Sequence, residues 1–168
     1  MAGTRSAIYT AEAHVTGGRE AGHGRTSDGN LEVDLRVPKE MGGSGGGTNP
    51  EQLFAVGYAA CFESALGVVA RRRGYEAGDV AIDSHVSLLP THERGFKLRV
   101  SLAVTLPSVA DAQEAVSLVR AADQVCPYSN ATRGNVDVSF TVNGRPLEET
   151  SRPQAAFSRG DSDGAAAG

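Results

Sequence analysis

The sequence is poor in cysteine. Its 168 residues include only Cys61 and Cys126, too few for a disulfide framework in a chain of this size. A redox pair is still possible, although the two are 65 residues apart and no Cys-x-x-Cys motif is present. The N-terminus also lacks the charged and apolar regions typical of a signal peptide. We therefore expect a cytoplasmic protein, in which structural disulfides are rare.

Positive charge is also scarce. The formal net charge is −4 and the pI is near 5.5, which argues against nucleic acid or an anionic membrane surface as a partner. No run of about 18 uncharged apolar residues occurs, so we expect no helix that spans a membrane. Of the broad protein classes, we therefore expect a soluble globular protein.

Length and hydrophobic periodicity predict one α+β domain at residues 1–150. Strands and helices are predicted in the order three strands, helix, two strands, helix, strand, which favours antiparallel sheets. The predicted strands lie at 8–16, 19–29, 31–38, 80–90, 96–107 and 135–144. After a turn at Gly17-Gly18, residues 19–29 continue as an exposed hairpin arm, and 31–38 is the third strand. Residues 151–168 have no periodicity, and we expect a disordered tail there.

The longest helix is predicted to begin after a glycine-rich loop at residues 42–48. Thr48 and Glu51 have the spacing of a capping box, and the apolar pattern continues to about Gly74. Because this helix is apolar around most of its circumference, it must be central or must pack against a partner. The glycine loop lacks the Lys-Ser/Thr of a phosphate-binding loop. The second long helix is predicted to begin after Ser108.

Cys61 lies in the middle of the first helix, where two interpretations remain open. A cysteine on an apolar face is usually a small hydrophobic residue, and burial raises a thiol pKa. A reactive Cys61 therefore needs a cation from elsewhere in the protein. Cys126 follows a helix, where the dipole disfavours a thiolate. Arg133 is either a second cation near Cys126 or an exposed loop charge.

Two long segments resemble the signature segments of a known family. GGSGGGTNPEQLFAVGYAACF and VCPYSNATRGN are similar to those of organic hydroperoxide resistance (Ohr) proteins, within the Ohr/OsmC family. The opening YTAEAHVTGGREAGHGRTSDGNLEVDL also resembles that family. The similarity covers about residues 7–149.

The resemblance implies a thiol peroxidase that reduces organic hydroperoxides, including lipid hydroperoxides, to alcohols. Cys61 matches the peroxidatic cysteine and Cys126 the resolving cysteine. Arg19 matches an activating arginine, and Glu51 matches the carboxylate that holds it. The implied fold is an intertwined α+β homodimer with antiparallel sheets around a central buried helix. The implied reductant is a dihydrolipoyl group on a lipoylated protein, with no metal and no bound cofactor.

The spacing of Glu51 and Cys61 restricts how Arg19 can act. Ten residues on one helix correspond to about 15 Å along its axis. Either the helix is broken, for example near Gly57, or Arg19 and Glu51 serve the Cys61 of the other subunit. We predict the second arrangement.

Other interpretations remain open. The chain could be an OsmC-type peroxidase with a different substrate preference. It could be a redox-sensing binding protein without turnover, or a purely structural module in which Cys61 is inert. For the substrate pocket of a peroxidase, the candidate side chains are Phe54, Phe62 and Phe96.

Overall fold

The computed structural model describes residues 6–76 and 78–148, so the predicted tail at 151–168 lies outside the described residues. Two sheets and a long helix make up the fold. The first sheet has the order β1-β2-β3 and the second the order β4-β5-β6-β7. The strands are β1 Ala13–Thr16, β2 Gly22–Thr26, β3 Glu32–Arg36, β4 Ala81–Pro90, β5 Phe96–Thr105, β6 Asp137–Val142 and β7 Arg145–Pro146. The helices are α1 Gly18–Ala21, α2 Pro50–Arg72, α3 Ala112–Val125 and α4 Pro127–Thr132, with a 3₁₀ turn at Lys39–Met41.

The first sheet is an exposed antiparallel arm, as the hairpin pattern predicted. Every residue of β1 is exposed, and among the three strands only Gly22, Gly24 and Leu35 are buried. Backbone hydrogen bonds join β3 to the segment before α2, from Thr48 N to Asp34 O and from Arg36 N to Thr48 O. A sheet with so little burial needs another surface to cover it.

The second sheet differs from the antiparallel expectation at one position. β4 pairs antiparallel with β5, but β5 pairs parallel with β6. The reason is the connection between them, because α3 and α4 form a helical crossover, and such crossovers return the chain in the same direction. The short strand β7 and the short helices α1 and α4 were also missed, because each is too short to show a period.

Helix α2 is the central element of the fold. One face packs on β4 and α3 and includes Tyr58, Phe62 and Leu66, all fully buried. By length and composition α2 could also span a membrane, contrary to the expectation from uncharged runs, since only Glu63 interrupts its apolar middle. A core helix meets the same criterion, and the contacts with β4 and α3 identify α2 as the core helix here.

The N-termini of both long helices are capped one or more residues later than predicted. The side chain of Asn49, not Thr48, accepts the backbone N–H of Gln52. The side chain of Asp111, not Ser108, accepts the N–H groups of Gln113 and Glu114. Asn and Asp are at least as good at this position as Ser and Thr, so the choice depends on the entering chain. Thr48 is held in the bridge to β3.

We expect Asn49→Ala to lower the free energy of unfolding by about 1 kcal/mol, the usual cost of losing an N-cap. The matched variant is Thr48→Ala, whose hydroxyl bonds only the exposed side chain of Gln52 and whose loss should cost less than about 0.5 kcal/mol. Urea unfolding of both variants measures the difference. A larger effect at Thr48 than at Asn49 would contradict this assignment.

Candidate functional site

The two cysteines lie next to each other in one chain. Both are free thiols, and the distance from Cys126 Sγ to Cys61 Sγ is 3.6 Å. Cys61 is half-buried on α2, whereas Cys126 is fully buried. A disulfide requires an S–S distance of about 2.05 Å, so small side-chain rotations suffice to join the pair. The structure thus brings together two groups that the sequence separates by 65 residues.

Within one chain, the surroundings of Cys61 disfavour a thiolate. Burial raises the pKa of the Cys61 thiol, a hydrogen bond from the backbone N–H of Tyr128 lowers it, and the adjacent Cys126 raises it again. The net effect is a raised pKa. No arginine is among these influences from the described residues, so the described part of the chain supplies no positive charge that would lower the thiol pKa.

Cys126 stands between two helices, at the end of α3 and immediately before α4. Residues 127–130 form the first turn of α4. Arg133 follows α4 and donates to the backbone oxygen of Asp123 at 2.6 Å and to Asn130 Oδ1 at 2.6 Å. It fixes the α3–α4 junction, and its hydrogen bonds are made to oxygen atoms instead of the Cys126 thiol.

Arg19 and Glu51 form the second pair at the candidate site. Arg19 Nη2 lies 2.7 Å from Glu51 Oε1. Arg19 comes from α1, between β1 and β2, and Glu51 lies in the first turn of α2. The carboxylate is well covered, with 15% of its side chain exposed, and the guanidinium is 36% exposed. The arginine is therefore oriented by a partly desolvated ion pair.

The two pairs occupy different parts of α2. The helix runs from Pro50 to Arg72 without a break at Gly57, so the broken-helix alternative is wrong. Glu51 and Cys61 are then separated by about 15 Å along the axis. An arginine bonded to Glu51 cannot also contact Cys61 of the same chain.

An aromatic cluster covers the part of α2 just before Cys61. The ring centroids of Phe54, Tyr58 and Tyr128 are 5.7–5.9 Å apart. Gly57 makes this possible, since a Cβ there would lie 3.1 Å from the Tyr128 hydroxyl. Tyr128 is 38% exposed, so its ring can form one wall of an entrance.

Of the three phenylalanines suggested for a pocket, only Phe54 belongs to this cluster. Phe62 is fully buried and packs on Phe140, with ring centroids 5.1 Å apart. Its side chain points to the core because it lies next to Cys61 in sequence and so on another face of α2. Phe96 is 68% exposed at the start of β5, opposite Pro90. Phe62 and Phe96 are therefore poor candidates.

A buried group of hydroxyls was not found from the sequence. Tyr58 Oη lies 3.0 Å from Ser129 Oγ and 3.2 Å from Thr132 Oγ1. Burial raises the pKa of Tyr58, and these hydrogen bonds oppose the increase. The only sequence signal is that Tyr58 lies three residues before Cys61, while Ser129 and Thr132 follow Cys126 on one short helix. Neither pattern shows that the two groups meet.

The fold and the paired thiols define an α+β protein with a candidate dithiol site, and comparisons with known proteins identify its class. Residues 43–141 match the family model described as OsmC-like protein. An organic hydroperoxide resistance protein from Xanthomonas axonopodis pv. citri is 49% identical over 146 residues, which cover 84% of this chain and 99% of the relative.

Solved structures agree. The organic hydroperoxide resistance protein OhrB of Bacillus subtilis has a TM-score of 0.74 and 46% identity, covering 81% of this chain and 99% of that one. A putative organic hydroperoxide resistance protein from Vibrio cholerae, with captopril bound in one of its active sites, has a TM-score of 0.80 and 47% identity, covering 84% and 96%. The chain belongs to the OsmC-like family, in its organic hydroperoxide resistance (Ohr) branch.

The raised pKa of Cys61 leads to a prediction about its reactivity. With Arg19→Ala, we expect the alkylation rate of Cys61 to rise only as the pH passes above the ordinary thiol pKa of about 8.5. The sign follows from burial, which stabilises the thiol over the thiolate. Iodoacetamide labelling, followed by mass spectrometry of the Cys61 peptide, gives the midpoint. The wild-type midpoint should be lower, and equal midpoints would exclude Arg19 as the activating cation.

Proposed function

We propose that this protein is a cysteine-based peroxidase that reduces organic hydroperoxides to alcohols. Cys61 is the peroxidatic cysteine and Cys126 the resolving cysteine. The observation that carries the proposal is the distance of 3.6 Å between the two free thiols, in a chain of the Ohr branch. The Phe54–Tyr58–Tyr128 cluster adds apolar surface before Cys61, which suits an alkyl or lipid hydroperoxide better than hydrogen peroxide.

The reaction proceeds in two balanced steps. The Cys61 thiolate attacks one peroxide oxygen, the O–O bond breaks, and the alkoxide leaves and takes a proton to become the alcohol. Cys61 is then a sulfenic acid. The Cys126 sulfur attacks the Cys61 sulfur, a disulfide forms, and the departing hydroxide is protonated to water. Peroxide is reduced by two electrons, and the two thiols are oxidised by two.

The activating cation is Arg19, and we propose that it acts on the Cys61 of a second subunit. In the described chain the guanidinium is bonded to Glu51, about 15 Å along α2 from Cys61. A homodimer that brings Glu51 of one α2 beside Cys61 of the other supplies the missing positive charge. The guanidinium then lowers the thiol pKa and donates to the peroxide oxygens as charge develops.

Exposed apolar surface supports the homodimer. The side of α2 that faces away from the core carries Leu53, Val56, Ala60 and Val68, all exposed in the single chain, with Val56 at 71%. Their spacing of three or four residues aligns most of them on one stripe. Exposed apolar stripes of this kind mark interaction surfaces. The arm formed by β1–β3 offers a second uncovered surface.

The reductant that we propose is a dihydrolipoyl group on a lipoylated cytoplasmic protein. This 1,3-dithiol can attack the Cys61–Cys126 disulfide and then close on itself as a ring disulfide, which releases both cysteines as thiols. Because Cys126 is fully buried, attack must begin at the more exposed Cys61. The chain itself needs no bound cofactor or metal for these steps.

The second candidate is a redox-sensing binding protein, favoured by the raised pKa of Cys61 in the single chain. In that case oxidation changes a surface without catalytic turnover. An OsmC-type peroxidase of different substrate preference is the nearer alternative. Turnover with a dithiol separates the two peroxidase candidates from the sensor. The ratio of the rates with cumene hydroperoxide and with hydrogen peroxide separates an Ohr-type from an OsmC-type peroxidase.

We expect wild-type protein to consume cumene hydroperoxide anaerobically with dihydrolipoamide, and Cys61→Ser to lose turnover completely. Cys126→Ser should consume about one equivalent and then stall, because the sulfenic acid has no partner thiol. Peroxide consumption and mass spectrometry of Cys61 provide both measurements. Absence of wild-type turnover with dihydrolipoamide, thioredoxin and glutathione would favour the sensor.

Mixed dimers test the shared site. Arg19→Ala and Cys61→Ser homodimers should both be inactive, but a refolded 1:1 mixture should recover about a quarter of wild-type activity. Half of its dimers are mixed, and in each one Arg19 of one chain meets Cys61 of the other.

The reciprocal control mixes wild-type chains with the double variant Arg19→Ala/Cys61→Ser. Here no mixed dimer contains an intact shared site, so activity should fall to about a quarter instead of half. If the first mixture recovers no activity and the second retains half, Arg19 of each chain activates the Cys61 of that same chain, and the shared site is excluded.

A further inference from the structure

The short helix α4 controls both groups that approach Cys61. Cys126 is the residue immediately before α4, and its sulfur lies 3.6 Å from Cys61 Sγ. The backbone of Tyr128, in the first turn of α4, faces Cys61 and lowers the pKa of its thiol. Whatever fixes α4 on α2 therefore sets the position of the resolving thiol and of the hydrogen bond that favours the thiolate.

The Tyr58 hydroxyl makes a polar contact from α2 to α4. Tyr58 is fully buried, and its partners Ser129 and Thr132 are only 2% and 5% exposed. Thr132 Oγ1 also lies 2.9 Å from the backbone oxygen of Tyr128. One set of proton positions satisfies every hydroxyl: Ser129 donates to Tyr58, Tyr58 donates to Thr132, and Thr132 donates to the Tyr128 carbonyl. The chain of hydrogen bonds ends on the residue that contacts Cys61.

We propose that Tyr58 is a positioning residue for the Cys61–Cys126 disulfide, acting through its hydroxyl on Ser129 and Thr132. The role in resolution rests on the proposed function. In that step Cys126 sulfur displaces hydroxide from the Cys61 sulfenic acid, and water and the disulfide result. Tyr58 takes no proton or electron in this step. It keeps the resolving thiol within reach of Cys61.

The hydroxyl of Tyr58 is needed for this role because its ring alone could be replaced. A phenylalanine would fill nearly the same volume and keep the contacts with Phe54 and Tyr128. It would leave the buried Ser129 and Thr132 hydroxyls without this partner, and buried hydroxyls that lose a partner favour conformations that reach water. In α4 such conformations move Cys126 and the Tyr128 N–H away from Cys61.

The test is the equilibrium between the Cys61–Cys126 dithiol and its disulfide in dithiothreitol redox buffers. We expect Tyr58→Phe to lower the equilibrium constant for disulfide formation about tenfold, the effect of losing one buried hydrogen bond. The midpoint pH for alkylation of Cys61 should also rise, because the Tyr128 N–H is displaced. Loss of overall stability alone would change neither quantity in the folded protein.

Tyr75→Phe is the matched control, since Tyr75 packs partly buried against the core beyond the C-terminal end of α2. It should leave both quantities unchanged. Ser129→Ala removes the other end of the same hydrogen bond and should reproduce the tenfold effect, and the double variant Tyr58→Phe/Ser129→Ala should show less than the product of the two.

The proposal would be overturned if the equilibrium constant for disulfide formation in Tyr58→Phe lay within twofold of the constants for the wild type and for Tyr75→Phe. If Tyr58→Phe does not fold, Ser129→Ala decides by the same criterion. The equilibrium requires no peroxide, so its outcome is independent of turnover. An inactive wild type with the expected shift would reject the peroxidase and leave the positioning role intact.

Discussion

A half-buried thiol with no cation beside it among the described residues is the constraint on which the rest of this structure depends. Burial raises the pKa of Cys61, and the arginine that could lower it is bonded to Glu51 on the same unbroken helix. The rigidity of α2 makes that separation permanent, because a helix without a kink cannot bring two residues ten positions apart into contact. In the function proposed above, a reactive Cys61 therefore depends on assembly with a second subunit.

The second thiol, Cys126, is positioned by contacts within the described chain alone. Cys126 is fully buried and needs no other chain to reach Cys61, since α3, α4 and α2 pack together within one fold. Its position is determined by the α3–α4 junction, with Arg133 fixing the outer side through oxygen atoms of Asp123 and Asn130 and Tyr58 contacting α4 from the core. The helix that completes the pair is only six residues long and would not be stable alone, so tertiary contacts must hold it.

Periodicity in the sequence was sufficient for the six longer strands and both long helices, but not for the contacts between them. The alternation in β4 and β5 and the apolar spacing of α2 predicted those elements, because burial of one face imposes a period. The parallel β5–β6 pair was missed, since it depends on how a crossover returns. The Tyr58–Ser129 contact joins residues 71 positions apart, and no local pattern specifies such a contact. The Arg19–Glu51 pairing was expected only from family resemblance. Phe62 was one of three candidates for a pocket, and the structure buries it in the core.

The different surroundings of Cys61 and Cys126 divide the proposed chemistry into one step that needs two subunits and one step that needs a single chain. In the proposed cycle, disulfide formation needs only contacts within one chain, whereas peroxide attack needs the guanidinium of another. The first half of the cycle is thereby linked to dimer formation and the second half is not. An oxidised subunit could then keep its disulfide through changes at the dimer interface, and a separated subunit would hold an unreactive thiol. Exposure of the α2 stripe in the single chain agrees with the same division, because the surface proposed to bind the partner is the one that the core does not need.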